Sequence, residues 1–186
     1  MPYSPIPELN QLHAFAAEYP EFSDGFEFYA YDHPDAGLVS WFDMKGDEPG
    51  IRDALDRLIP FAQATGSGSF YAIWRVDDRT DLATLPVILF GDEGDLDVVG
   101  RGLRDLFRLL AVDDEQFYID GDYPPSTYHD EYVAWLAENF GLTPPDDPDL
   151  LVNPARAEFA RPFVEWVIAT VPTALDLTHF RQEFGR

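Results

Sequence analysis

The chain has 186 residues with 35 Asp and Glu against 12 Lys and Arg, a formal net charge of −23, but it is 46% hydrophobic and 15% aromatic, which reads as a folded domain and not an acidic disordered chain. It contains no cysteine, which excludes disulfides, thiolate nucleophiles and cysteine-ligated metals. Its acidity argues against binding nucleic acid, which takes a basic footprint, and no apolar run approaches the about 18 residues of a membrane span, so neither is expected as a partner.

Taken in chain order, the spacing of Leu9, Leu12, Phe15, Ala16 and Tyr19 predicts a first helix over about 7–19, with prolines on both sides. After the turn Ser23-Asp24-Gly25, the residues Phe26, Phe28 and Ala30 alternate with Glu27, Tyr29 and Tyr31, the period of a strand. His33-Pro34-Asp35-Ala36-Gly37 is turn chemistry, from which Leu38 to Phe42 is expected to return as a second strand. Ile51, Leu55 and Leu58 predict a short helix over about 50–58. Gly66-Ser67-Gly68 then turns into a strand over 69–76, and the polar stretch 77–84 leads to another over 86–90. A turn at 91–95 and a short extended piece at Val98-Val99 precede a helix over about 101–111, whose apolar face is Leu103, Leu106, Phe107 and Leu110.

Past Pro124-Pro125, Ser126 or Thr127 is placed to cap a helix reaching Phe140. Tyr128, Tyr132, Trp135 and Leu136 lie on one side of it, and Gly141 ends it. The run TPPDDPDL over 143–150 reads as a linker. Asn153 and Pro154 read as the cap and first turn of a last helical region, which Pro162 is expected to kink, with Phe159, Phe163, Trp166 and Val167 on one face. The expected organisation is an α+β domain over 1–142, with a linker and helical C-terminal region over 143–186 packed on the same domain.

Catalytic signatures are sparse. His13, His33, His129 and His179 are scattered and make no zinc motif. The turn Thr65 to Ser69 lacks the lysine of a phosphate loop and leads into a strand, and neither Ser67 nor Ser69 sits in a nucleophile elbow. Asp95/Asp97 and Asp120/Asp122 could hold Mg²⁺ or Ca²⁺ through carboxylate oxygens, though a chain with 35 acids contains such pairs by composition. No metal or cofactor is assigned. Arg101, Arg104 and Arg108 form a stripe opposite the leucine face of their helix and are read as partners for the excess acids.

The charge has an address. Residues 113–150 hold 11 acids and no base, whereas 151–186 hold four of each. Such a segment is either a solvated face or a docking surface for a basic protein. In the second reading Asp113, Asp114, Glu115, Asp120, Asp122, Asp130 and Glu131 steer association. Tyr118 and Tyr123 anchor it, tyrosine being a favoured interface residue.

From Gly68 to Leu110 the chain resembles the SUKH superfamily, the Smi/Knr-like group. The strand opening on Gly68 with Tyr71 inside it resembles that family's glycine-tyrosine strand. Pro86-Val87-Ile88-Leu89-Phe90 resembles its proline-valine strand, and the helix of Leu103, Leu106, Phe107, Leu109 and Leu110 its closing helix. Trp74-Arg75 stands where the family often carries an acidic or amide residue. The resemblance implies a single α+β domain, a mainly antiparallel sheet flanked by helices, and no catalytic residues. Many bacterial members are immunity proteins that neutralise a toxin, often a nuclease or deaminase, and others are interaction modules. The expectation is a cytoplasmic, non-enzymatic protein that binds a basic partner. The alternatives are a metal- or ligand-dependent enzyme built on the Asp pairs, and a regulatory scaffold of the same fold.

Overall fold

The computed structural model describes residues 3–29, 35–44, 51–113, 125–171, 177–178 and 180. The chain enters through α1 (Pro7–Glu18), where Pro7 fills a first-turn position whose N–H would have no helical acceptor in any case. Ser4 N donates to Asn10 Oδ1 at 2.8 Å and Asn10 Nδ2 donates back to Ser4 O at 2.7 Å, which fixes the approach to the helix. Five strands, β1 (Glu27–Phe28), β2 (Leu58–Gln63), β3 (Phe70–Trp74), β4 (Val87–Phe90) and β5 (Leu96–Gly100), pair antiparallel in chain order. Further α-helices among the described residues are α2 (Asp35–Trp41), α3 (Ile51–Leu55), α4 (Leu103–Leu110), α5 (His129–Phe140) and α6 (Asp149–Thr170). The fold is therefore α+β, an antiparallel sheet flanked by helices and closed by a long C-terminal helix.

The period of two along β3 explains the layering. Tyr71 and Ile73 face a core with Leu12, Phe15, Phe107, Tyr132 and Leu136, drawn from α1, α4 and α5. Phe70, Ala72 and Trp74 face the opposite core, with Leu38 and Phe42 near α2 and Phe163, Val164 and Val167 of α6. Helices cover both faces, so every residue of β3 is buried, and the strand reads as a continuous apolar run. The C-terminal region packs mainly into the second of these cores, with Val152 at the start of α6 reaching the first.

Several local expectations are corrected. Leu38 to Phe42 is not a strand: 38–41 are helical, and the one-turn spacing seats Leu38 and Phe42 in the core while Val39 is 37% exposed. The helix expected to reach Leu58 ends at Leu55, and Leu58 opens β2. Pro60 hides that strand in the sequence, and the register shifts between Pro60 and Ala62, an irregularity that accommodates a residue without an N–H. The first strand is only Glu27–Phe28 within the described residues, and Val98-Val99 lies within the longer β5. Neither Ser126 nor Thr127 caps α5, which starts from Tyr128 without a side-chain cap, although Gly141 does end it in the left-handed region at φ 64°. Finally, α6 begins at Asp149, so Asn153 is not its cap, and both Pro154 and Pro162 lie inside a 22-residue helix. The run before it is tied down: Arg108 Nε donates to Thr143 O at 2.8 Å, and Pro145 is buried.

Candidate functional site

The acidic segment begins at a clasp. Asp113 follows α4 with φ 50°, in the left-handed region that Asp tolerates better than most residues. Its side chain is only 2% exposed. The carboxylate accepts Asp24 N at 3.0 Å, Ser126 Oγ at 2.6 Å and Ser126 N, with His129 Nδ1 at 3.5 Å. These bonds join the start of the acidic segment to the turn before β1 and to the approach to α5. Asp113 thus spends its charge on the fold, and its buried carboxylate is not presented to a partner as the sequence suggested.

Asp130 and Glu131 are exposed in the first turn of α5, where negative charge also suits the helix dipole. Glu138 is exposed seven residues beyond Glu131, about two turns along the same face. The other face is buried through Tyr132, whose hydroxyl donates to Phe107 O at 3.0 Å, and Leu136. Asp146, Asp147 and Asp149 are exposed as well. Among the described residues, none of these six acids forms an ion pair. Asp114, Glu115, Tyr118, Asp120, Asp122 and Tyr123 lie outside the described residues.

Sequence reasoning missed Leu150. It is 65% exposed, immediately after Asp149. The available signal was the run Leu150-Leu151-Val152 at the start of a helix, because a helix can bury only one side of three consecutive apolar residues; Val152 is the buried one.

Several of the described arginines are engaged elsewhere. Arg156 donates through Nε to Asp97 Oδ1 at 2.7 Å and through Nη2 to Asp97 Oδ2, a two-pronged contact. Arg101 lies 3.2 Å from Glu158, Arg104 lies 4.0 Å from Glu8, and Arg108 bonds a carbonyl. Arg79 donates to both oxygens of Asp77, holding its carboxyl down at about 2. Of the Asp95/Asp97 pair, one carboxylate is therefore already committed to an arginine. Among the described residues no group of three or more His, Asp or Glu side chains could hold a metal ion. His13 stacks on Tyr3 at 4.6 Å, and His33 and His179 lie outside the described residues. The serine-rich turn is structural: Ser69 Oγ donates to Asp92 Oδ1 at 2.9 Å and accepts Asp92 N at 3.1 Å, locking two hairpin turns together. The Ser69 and Ser67 hydroxyls hold the Asp92 carboxyl below its ordinary range.

No protein-family model matches the chain, and neither a curated protein nor a solved structure does. Among the described residues no helix is long and apolar enough to cross a membrane.

Proposed function

We propose that this chain is a non-enzymatic binding protein that takes a basic protein partner on its acidic side, most specifically a cytoplasmic immunity-type protein of the SUKH kind that neutralises a nuclease- or deaminase-class toxin. One observation carries the reading: 113–150 has no base, and Asp130, Glu131, Glu138, Asp146, Asp147 and Asp149 stand exposed without an ion-pair partner among the described residues. Unpaired exposed carboxylates on one stretch of chain set up a field that speeds the approach of a basic surface. A toxin that binds nucleic acid through lysine and arginine presents such a surface. An antiparallel sheet flanked by helices is the architecture that the family resemblance implies, and Leu150 adds an apolar contact amid the acids.

The test is affinity capture on the immobilised protein, followed by association kinetics of the captured protein. The expected partner is basic, carries its own catalytic motif, loses activity when bound, and associates more slowly as salt rises. Charge reversal at Asp130 and Glu131 should slow association further. A partner whose association rate ignores both salt and these substitutions would remove the electrostatic reading. One without catalytic activity would favour a regulatory scaffold.

A further inference from the structure

A cavity of about 380 Å³ opens between the sheet and the C-terminal half of α4, apart from the exposed face of α5. Its floor is a cross-strand row: Tyr71 on β3 pairs with Leu89 on β4, which pairs with Asp97 on β5. Directly opposed residues point to one face of a sheet, so the floor grades from buried phenol through leucine to carboxylate. Leu106, Leu109 and Leu110 of α4 form the roof. At the mouth stand Asp24 and Asp95, both exposed, together with Gly66, and among the described residues no lysine or arginine lines the cavity. In the interior the Tyr71 hydroxyl donates to Gly25 O at 3.3 Å, while its oxygen keeps capacity to accept.

We propose that this cavity binds a compact organic cation, with its apolar body over Tyr71 and Leu89 and an ammonium or guanidinium group at the mouth facing Asp24 and Asp95. The volume falls in the range of small-molecule sites, about 300–1,000 Å³, which combine apolar walls with a few placed polar groups. The sign of the charge follows from the lining. Asp97 is already paired with Arg156, so the sign is set by Asp24 and Asp95: an anion would lose water beside these two carboxylates, a neutral ligand gains only the apolar contact, and a cation gains both. This inference is independent of the basic-protein reading, because it uses neither α5 nor Leu150.

The test is an amide NMR titration at fixed ionic strength with three isosteric probes: phenylpropylamine, phenylpropanol and phenylpropionate. The amine should perturb the amides of Tyr71, Leu89 and Leu109 and bind about tenfold more tightly than the carboxylate, with the alcohol between them. Leu89→Trp, which fills the floor at a half-buried position, should abolish binding of all three. Gly66→Lys places a base at the mouth where an added Cβ meets nothing within 4 Å, so it keeps the fold and should shrink the amine's advantage severalfold. Glu138→Lys, on the exposed face of α5 and outside the cavity lining, should leave that advantage unchanged. The proposal is overturned if amine and carboxylate perturb the floor equally, if the amine shifts only surface acids, or if Glu138→Lys acts as strongly as Gly66→Lys. Because these probes are small molecules, loss of the cavity site leaves the basic-protein interface standing, and the reverse also holds.

Discussion

Asp113 shows how one carboxylate can be spent on architecture inside a segment that otherwise advertises charge. Both oxygens accept: Oδ1 takes Asp24 N and Ser126 Oγ, and Oδ2 takes Ser126 N. Asn keeps the shape and tolerates the left-handed backbone, but its NH₂ must meet one of these donors. Asp113→Asn should therefore cost about 1–3 kcal/mol in urea unfolding, whereas exposed Asp130→Asn should stay within about 0.5 kcal/mol of the parent. An Asp113→Asn protein as stable as the parent would show that the clasp contributes nothing. Asp77 gives a pH prediction with a definite sign. Arg79 holds its folded-state carboxyl at about 2, below the ordinary 3.8, so its stabilisation is complete above about 4 and fades as pH falls through the folded value. Asp77→Asn should be less stable than the parent near neutrality, and the gap should close as pH is lowered toward 2 in paired denaturation curves. Both partners are largely solvated, so the gap is small at every pH.

At the scale of elements, α6 carries a correctable defect. Pro162 is exposed in its interior and cannot donate to the carbonyl of Glu158. Pro162→Ala should restore that bond and raise thermal stability by about 1–3 kcal/mol, a net figure after the greater freedom that alanine gives the unfolded chain. An unchanged melting temperature would mean that the helix has already relaxed around the ring. The same helix marks where sequence reading fails. The amphipathic faces of α1, α4 and α5 and the runs of β3 and β4 were legible, the helices because spacing alone separates their buried residues from their exposed ones and the strands because short apolar runs between turns mark buried strands. The start of α6 was not, because proline is a strong local signal against a helix interior and packing of Val152 and Ala155, on either side of Pro154, overrides it. Pro60 masked β2 in the same way. Leu38 to Phe42 was misread because five residues hold too little periodicity to distinguish one helical turn from a strand. The charge of 113–150 was legible by counting, but the burial of Asp113 depends on Asp24, 89 residues away, and no local pattern announces it. The cavity was equally invisible, since its floor exists only once three strands are in register.

At the scale of the whole molecule, 23 net negative charges on a surface of 10,435 Å² stand about 20 Å apart on average. Screening reaches about 30 Å at 0.01 M salt and about 8 Å at physiological ionic strength, so repulsion between neighbouring net charges is felt in the first condition and largely removed in the second. The folded chain holds these charges closer than the unfolded one, and NaCl should therefore raise the melting temperature, steeply at first and then flattening near physiological strength. The gain should come mostly from the base-free segment. Glu138→Lys should raise the low-salt melting temperature and reduce the rise with salt, because its exposed surroundings supply acids without partners. Glu165→Lys should do neither, since it removes the partner of Arg161 at 2.9 Å and sets two cations side by side. The same screening acts in the opposite direction on encounter with a basic protein, so salt should stabilise the free chain while slowing its association. Measured on one preparation by calorimetry and stopped-flow mixing, the two trends must diverge. A melting temperature indifferent to NaCl would mean that the acids are already neutralised in the isolated protein, and the steering field proposed for the partner would go with them.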